Sequence, residues 1–257
     1  MTDPVLIRIR PASDADASLW RLTREIAAIL DPLPWVLVGG QMVSTLEAEH
    51  GAAIGFATGD VDALVDVRAM IDVTLEGARR LLDAGFEPDR GGARGYRFVR
   101  DGAIVDVLAP DNVGARAELR TVPPDTTVQI VGGTQALARA RVVEVDSGDE
   151  PFQIRIPTLA GAIVIKSRAA TAARDGREKH ERDLARLLTL VPDVVSLRAV
   201  RTASPHVSRQ PCASAPGVGV MIASFTPRTS IRSKMASARF RRRSGAVVRH
   251  RPGRSAR

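Results

Sequence analysis

The charge of this chain changes abruptly at one point, and the change limits which residues can form a fold. Residues 1–197 carry 23 lysines and arginines against 29 aspartates and glutamates, a net charge of −6. Residues 198–257 carry 14 basic residues and no acidic residue, and their apolar residues follow no helical or strand period. Such a segment cannot bury enough apolar surface to offset the entropy of ordering. The sequence therefore predicts a folded body over 1–197 and a disordered, Arg-rich tail over 198–257.

Three explanations of this tail remain open. A frameshift near residue 195 of an Arg- and Ala-coding, GC-rich gene would produce such acid-free sequence and would replace whatever helices followed Asp193. A basic arm that holds nucleic acid through phosphate contacts is the second explanation, with Arg239 and residues 241–243 among its cations. The third is an ordinary disordered tail. In each case the net charge of +8 belongs to the tail and not to the body.

Composition excludes several classes of protein. The chain is 44% hydrophobic and 26% charged, as soluble globular proteins are. Its single cysteine, Cys212, rules out an internal disulfide framework and a zinc site built on cysteine pairs. The N-terminal residues lack an apolar run behind a basic region, and the longest charge-free stretch, 210–227, contains three prolines. We therefore expect a cytoplasmic protein that does not enter a membrane.

Residues 1–120 are predicted to form a first domain of alternating helices and strands. An amphipathic helix is expected from Asp16 to Leu30, with Ser13 or Asp14 as its cap, and prolines at 32 and 34 end it. The Asp101-Gly102 pair is typical of a two-residue hairpin turn. The other predicted elements are strands at 35–38, 60–67, 96–100 and 103–108 and helices at 41–49 and about 74–84.

Residues 121–197 are predicted to form a strand and helical region. The pattern indicates a hairpin that pairs 141–145 with 152–156. The other predicted elements are a strand at 127–131, a short helix near 134–140, and helices at about 158–173 and 177–190. Together the two regions predict an α/β (α+β) fold with a helical C-terminal region.

Three aspartates stand in the predicted strands, where an isolated acid is costly. Asp60 and Asp62 are two residues apart, so strand geometry places both carboxylates on one face, about 6.6 Å apart. Asp106 is the lone acid of an otherwise apolar strand, which is unfavourable unless it pairs or binds a metal. Three converging carboxylates can hold two Mg²⁺ ions about 3.5 to 4 Å apart. Asp66 is on the same face of the predicted strand as Asp60 and Asp62, but it lies at the far end of the strand. We therefore assign it a structural role.

A glycine pair, Gly39-Gly40, follows the 35–38 strand. Without side chains, its backbone N–H groups can approach a triphosphate at a helix N-terminus. Taken alone, a Gly-Gly pair is usually a tight turn and an Asp-x-Asp is usually a strand edge or loop. The order Val-Gly-Gly, Asp-Val-Asp and then a strand-borne aspartate favours a functional site. A second Val-Gly-Gly begins at Val131, but no Asp-x-Asp strand follows it, so a turn is predicted there.

These residues resemble the nucleotidyltransferase superfold shared with DNA polymerase beta, whose signature is a Gly-Gly or Gly-Ser turn, an Asp-x-Asp strand and a third acid. Within that superfold the chain resembles the AbiEii-type family, known as toxins of type IV toxin–antitoxin systems. The resemblance spans roughly residues 30–190 and rests on 35–40, 58–65, 105–108 and the helical residues Lys166, Arg174, Lys179 and Asp183. The chain departs from the family at Phe56, where an arginine is usual, at His180, where an acid is usual, and in a long spacer of 19 residues between Gly40 and Asp60.

The resemblance implies roles for particular residues. The catalytic residues and metal ligands are Asp60, Asp62 and Asp106. The residues that position the phosphates are Gly39, Gly40 and Thr58. The cations that neutralise the triphosphate are Lys166 and Lys179, two of only three lysines in the chain.

Two alternatives for the helical residues remain. Either lysine can instead lie on a solvated helix face. Asp183 either orients a lysine or acts as a general base, or it belongs to an ordinary amphipathic helix and pairs with Arg186.

The resemblance implies a Mg²⁺-dependent enzyme that moves a nucleoside monophosphate from an NTP to an acceptor hydroxyl. The implied acceptor is RNA, at a tRNA 3′ end, and the implied partner is a separately encoded antitoxin. The net charge of −6 on the body argues against extensive contact with an RNA backbone, which favours a basic surface. The alternatives are transfer to a small molecule such as an aminoglycoside or to a protein hydroxyl, a nucleic-acid-binding protein that works through its tail, and an inactive relic.

Overall fold

The computed structural model describes residues 3–54, 58–92, 95–115, 117–172 and 176–192. The chain divides into two units, Met1–His206 and Val207–Arg257, and all the described residues lie in the first. The predicted disorder of 198–257 and the three explanations of the tail therefore lie outside the described residues. The predicted division of the body into 1–120 and 121–197 stays a prediction.

Strands and helices alternate through most of the described chain. The helices are α1 (Asp14–Leu30), α2 (Gly39–Glu49), α3 (Val73–Asp83), α4 (Gly133–Ala138), α5 (Leu159–Ala172) and α6 (Arg177–Thr189). The strands are β1 (Val5–Arg8), β2 (Trp35–Leu37), β3 (Val61–Val65), β4 (Glu87–Pro88), β5 (Arg97–Arg100), β6 (Ala103–Pro110), β7 (Gln129–Ile130), β8 (Ala140–Asp146) and β9 (Phe152–Pro157). This arrangement confirms the predicted mixed α/β class and the helical C-terminal region.

A six-stranded mixed sheet forms the centre of the fold. Its strand order is β2-β3-β6-β5-β4, and β7 pairs with the end of β6. β3 and β6 run parallel, whereas β2 is antiparallel to β3 and β5 is antiparallel to β6. The four apolar residues of β3 are fully buried, which leaves Asp62 as its one polar residue. Every other residue of β3 thus belongs to the hydrophobic core, so a rigid backbone holds the Asp62 carboxylate.

Helix α1 shows how local sequence sets one element. Ser13 is its N-cap, and the serine hydroxyl accepts a hydrogen bond from the backbone N–H of Asp16 at 3.2 Å. The apolar face of the helix buries Trp20, Ile26 and Leu30, which recur at the helical period. This confirms the predicted helix and its cap, although the helix begins at Asp14 and not at Asp16.

The Asp101-Gly102 hairpin sets the register that matters most for the site. Asp101 has φ 50° and Gly102 has φ 82°, as a two-residue hairpin turn requires. This turn confirms the predicted β5–β6 hairpin. It places Arg97 directly opposite Asp106.

A second sheet has the order β1-β8-β9. Its β8–β9 pair is the hairpin predicted at 141–145 and 152–156, extended at both ends. The sequence analysis missed β1, which pairs parallel with β8. Its apolar run is only three residues long and only Ile7 of the strand is buried, so the sequence alone does not distinguish this segment from a tail.

Two predicted strands are markedly shorter in the structure. The strand expected at 60–67 is shorter, because Asp60 lies in the turn before β3 and the Asp66 carboxylate accepts the backbone N–H groups of Arg68 and Ala69 in the turn after it. These bonds are the structural role expected of Asp66. The strand expected at 127–131 is only two residues long, and the Val-Gly-Gly after it forms the predicted turn, with Gly132 at φ 88°. Within the described residues, no helix is both long and apolar enough to cross a membrane.

Candidate active site

Three carboxylates meet at one end of the β3–β6 pair. The parallel register sets Asp62 of β3 beside Asp106 of β6, and Asp60 lies in the turn that leads into β3. One carboxylate oxygen from each residue lies within 4.8 Å of the other two. The convergence expected from the sequence is therefore present, and it follows from strand pairing and not from the Asp-x-Asp spacing alone.

The glycine turn lies directly against this cluster. The backbone N–H of Val38 donates to the carbonyl oxygen of Asp62 at 2.9 Å, which brings the end of β2 alongside β3. Gly39 has φ +71°, and a Cβ built on it would lie 1.7 Å from Asp62 Oδ2. Gly39 is also the first residue of α2, whose first turn has unpaired backbone N–H groups. A side chain at position 39 would clash with this carboxylate, so only glycine lets the turn pack directly against Asp62.

Thr58 and Gly40 form the wall next to this turn. The Thr58 hydroxyl donates to Asp60 Oδ1 at 2.5 Å, which fixes the orientation of that carboxylate. A Cβ on Gly40 would lie 2.6 Å from Thr58 Cβ, so only glycine allows this approach. Thr58 therefore acts on Asp60 in this structure, in addition to any contact with phosphate.

Burial and neighbouring carboxylates raise the pKa of both Asp62 and Asp106. Burial raises the pKa of Asp62 to about 7, and repulsion from Asp60 and Asp106 adds to that effect. Lys166 and Lys179 oppose it. Burial also raises the pKa of Asp106, against the effect of its ion pair with Arg97. The site thus carries more negative charge than its own cations compensate.

Arg97 is a site residue that the sequence analysis missed. It donates from Nε to Asp106 Oδ1 at 2.8 Å and from Nη2 to Oδ2 at 2.7 Å, which makes a two-bond charge-assisted pair. The signal that would have found it is the hairpin turn, because a two-residue turn at 101–102 pairs residue 97 with residue 106. The register of the predicted hairpin thus already implies the Arg97–Asp106 pair.

Lys166 is buried at the opposite wall. Its Nζ donates to Asp183 Oδ2 at 2.6 Å, and both residues are only 5% exposed. The solvated-face alternative for Lys166 is therefore wrong. For Asp183 both alternatives hold, since it fixes Lys166 and also accepts from Arg186 at 3.3 Å. Lys179 is exposed and lies at the mouth of the same cavity.

Arg186 extends this buried ion network to the helix that begins at the glycine turn. It donates from Nε and Nη2 to the two carboxylate oxygens of Glu47, at 2.7 and 2.5 Å. Glu47 belongs to α2 and is 4% exposed. Sequence reasoning missed this link because the two residues are 139 positions apart and each looks like part of an ordinary charged helix face.

A cavity of about 380 Å³ lies against part of the carboxylate cluster, and the predicted site residues Gly40, Thr58 and Asp106 do not line it. Its polar wall consists of Gly39, Asp60, Asp62, Lys166, Lys179 and His180, and its apolar wall includes Leu108, Ile130, Val131 and Ile165. A larger groove of about 1010 Å³ lies beside α1 and contains none of the predicted site residues. Chemistry and not volume therefore identifies the candidate site.

His180 stands where the resembling family usually has an acid. Burial lowers the pKa of its imidazole, so the ring lines the cavity as a neutral group. Its Nδ1 has no hydrogen-bond partner among the described residues. The other departure, Phe56, and the predicted family residue Arg174 lie outside the described residues.

Comparison with known proteins adds a distant structural likeness. No family model matches the chain, and no curated protein matches it. A solved structure of ANT(2″)-Ia in complex with adenylyl-2″-tobramycin is similar to the chain, with 14% sequence identity and a TM-score of 0.43. The similarity covers 72% of this chain and 96% of that one. What is proposed below about function rests on the residues of the site.

Proposed function

We propose that the chain is an NTP-dependent nucleotidyltransferase of the superfold shared with DNA polymerase beta. The observation that carries this proposal is the contact of a glycine turn at a helix N-terminus with three converging carboxylates. Gly39 lets the N-terminus of α2 pack directly against the Asp62 carboxylate, and oxygens of Asp60, Asp62 and Asp106 lie within 4.8 Å of one another. A phosphate cradle next to a cation site is the arrangement that phosphoryl-group chemistry needs.

The carboxylates fit a hard divalent cation. Their oxygens are the ligands that Mg²⁺ prefers, and a bound cation would oppose the burial and the carboxylate repulsion that raise the pKa of Asp62. Asp60 and Asp62 are the ligands proposed to hold it, with Asp106 as the third carboxylate. When bound, Mg²⁺ neutralises charge on the α-phosphoryl group and favours ionisation of an attacking hydroxyl.

The other residues bind and orient the two substrates. The backbone N–H groups of Gly39 and Gly40 face the triphosphate at the positive end of α2. Lys166, held by Asp183, and the exposed Lys179 supply positive charge along the cavity. Thr58 holds Asp60 in place.

The proposed reaction is a displacement at the α-phosphorus. The acceptor hydroxyl oxygen forms a bond to this phosphorus while the bond to the β-phosphate bridging oxygen breaks, and pyrophosphate leaves with that electron pair. Asp106 accepts the hydroxyl proton, a role that its raised pKa suits. Alignment of the two substrates by the fixed groups supplies much of the rate enhancement.

For the acceptor we propose RNA, at a tRNA 3′ end, with the chain acting as an AbiEii-type toxin under the control of an antitoxin. The cavity residues Lys166 and Lys179 and the buried Asp183 match the helical pattern of that family. A small-molecule or protein hydroxyl is the second candidate, which the net charge of −6 over 1–197 favours.

Incubation of the full-length protein with each α-³²P-labelled NTP, Mg²⁺ and total RNA identifies donor and acceptor together. The expected result is label in RNA of tRNA size with one preferred NTP. Parallel reactions replace RNA with tobramycin or with a protein extract. Label only in one of those reactions would refute the RNA assignment, and no transfer to any acceptor would refute the enzyme assignment.

Metal removal is expected to abolish transfer. EDTA should bring the rate to background, and Mg²⁺ or Mn²⁺ should restore it, because carboxylate oxygens favour hard cations. Label transfer is measured with EDTA, with EDTA plus each metal, and with EDTA plus Zn²⁺ as a softer ion. A rate that EDTA leaves unchanged would contradict the assignment of Asp60 and Asp62 as metal ligands.

Gly39→Ala is expected to lower the rate of transfer by about a hundredfold. The new Cβ would displace the Asp62 carboxylate, and a shift of about 1 Å near reacting groups costs this much. Gly51→Ala is the matched control, since Gly51 has φ +68° but no atom lies within 4 Å of its would-be Cβ. Backbone strain should cost each variant about 1 kcal/mol of stability, and the clash with Asp62 should cost Gly39→Ala more, whereas only Gly39→Ala should lose activity. Equal rates for the two variants would contradict the proposed cradle.

A further inference from the structure

We propose that Arg97 is a built-in cation of the carboxylate cluster, so that the site binds a single divalent ion, on Asp60 and Asp62. The inference rests on the proposed function and specifies the metal content of that site. It replaces the expectation of two Mg²⁺ ions that the sequence suggested.

The first argument is the position of the guanidinium. Arg97 Nη2 lies 2.7 Å from Asp106 Oδ2 and 3.7 Å from Asp60 Oδ2, so one nitrogen bridges two of the three carboxylates. Arg97 Nε lies 2.8 Å from the other oxygen of Asp106. A second metal ion shared by Asp60 and Asp106 would need the position that this guanidinium takes.

The second argument is that strand pairing holds Arg97 in place. Arg97 pairs with Asp106 across the antiparallel β5–β6 ladder, and Asp106 pairs with Asp62 across the parallel β3–β6 ladder. The fully buried Phe98 follows Arg97 and anchors the strand in the core. Because the backbone is fixed on both sides of Asp106, the ion pair belongs to the framework of the sheet.

The third argument is charge. Arginine stays protonated at any pH at which the protein is folded. The three carboxylates and Arg97 therefore sum to a charge of −2 when all are ionised, which one divalent ion balances. Two divalent ions would leave the cluster at +2, and the Arg97 guanidinium lies 3.7 Å from the Asp60 carboxylate that would share the second ion. Such close like charges in a partly buried site are unfavourable.

Counting bound metal tests this directly. The full-length protein is titrated with Mn²⁺ in the absence of nucleotide, so that every ion counted is held by the protein, and free Mn²⁺ is measured by electron paramagnetic resonance. One bound ion per chain is expected for the wild type. Arg97→Gln should bind two, because a neutral side chain leaves Asp106 uncompensated. Arg97→Lys, which keeps the charge, should bind one.

Arg100→Gln is the matched control. Arg100 lies on the same strand and pairs with Glu25 at 2.7 Å, away from the carboxylate cluster. It should bind one ion, as the wild type does. Circular dichroism checks that each variant is folded.

Should Arg97→Gln fail to fold, Asp106→Asn decides the matter. It should still bind one ion, with a Kd about 10–100-fold above that of the wild type, because Asp60 and Asp62 hold the ion and Asp106 only neighbours them. Two ions in the wild type, one ion in a folded Arg97→Gln, or loss of the ion in Asp106→Asn would each overturn the inference while leaving a metal-dependent transferase in place. Absence of any bound ion in the wild type would overturn the proposed function as well.

Discussion

Asp62→Asn is expected to lower nucleotidyl transfer by about a thousandfold or more. The substitution removes one of the two proposed metal ligands but keeps the shape of the side chain. A metal ion contributes several kcal/mol of transition-state stabilisation, and each 1.36 kcal/mol corresponds to about a tenfold change in rate. Single-turnover label transfer by the full-length variant measures the loss.

The same variant gives a stability readout that separates a lost ligand from a lost fold. The pKa of Asp62 is raised from 3.8 to about 7 in the folded, metal-free protein. The ionised carboxylate therefore destabilises the fold above pH 7, and this destabilisation is absent below the unfolded-state value of 3.8. Without metal, Asp62→Asn should be more stable than the wild type at pH 8 and similar to it at pH 4.

Asp66→Asn is the control just past the other end of β3, since among the described residues the Asp66 carboxylate bonds to backbone N–H groups of the turn that follows. Its transfer rate should stay within about threefold of the wild type, as is usual for a change away from the reacting groups. Equal activity of Asp62→Asn and Asp66→Asn would refute the role of Asp62.

Asp183→Ala is expected to destabilise the protein by about 3–5 kcal/mol, because it leaves Lys166 buried without its partner. Lys166 is 5% exposed and its Nζ lies 2.6 Å from Asp183. Denaturant unfolding of the full-length protein measures the change. The control is Glu181→Ala, which removes an exposed ion pair with Arg177 on the same helix and should cost less than about 1 kcal/mol.

A paired replacement separates the structural part of this ion pair from its part in the reaction. Lys166→Met together with Asp183→Leu removes both charges and keeps their volume. Replacement of a buried ion pair by apolar residues is often close to neutral, so stability should recover to within about 2 kcal/mol of the wild type. Transfer should remain lost, because no cation then faces the triphosphate from α5. Recovery of both stability and activity would limit Lys166 to a structural role.

The sequence predicted the elements that have strong local signals. The period of apolar residues in α1, its serine cap and the Asp-Gly hairpin turn are all set by residues close together in the chain. The carboxylate cluster was also predictable, because burial of a carboxylate in a strand costs free energy unless the carboxylate is paired or binds a metal. The short strand β1 was not, since only Ile7 of its residues is buried and its pairing with β8 joins distant parts of the chain.

The parts of the site that escaped prediction depend on contacts between distant residues. Glu47 and Arg186 each lie on a helix whose pattern alone indicates a charged, solvated face, yet they pair in the interior. The Arg97–Asp106 pair was easier to predict, because the register of the predicted hairpin implies it. The burial of Lys166 depends on the packing of α5 against α6, which the amphipathic pattern does not specify.

The position of the label in the product tests the central claim most directly. The full-length protein is incubated with Mg²⁺, its acceptor and the NTP that it prefers. One reaction contains this NTP labelled at the α-phosphorus, and a parallel reaction contains it labelled at the γ-phosphorus. Nucleotidyl transfer predicts that the acceptor gains the α-label and that the γ-label appears in pyrophosphate, with both signals lost in Asp62→Asn. An acceptor that gains the γ-label, or transfer that persists in Asp62→Asn, would contradict the account.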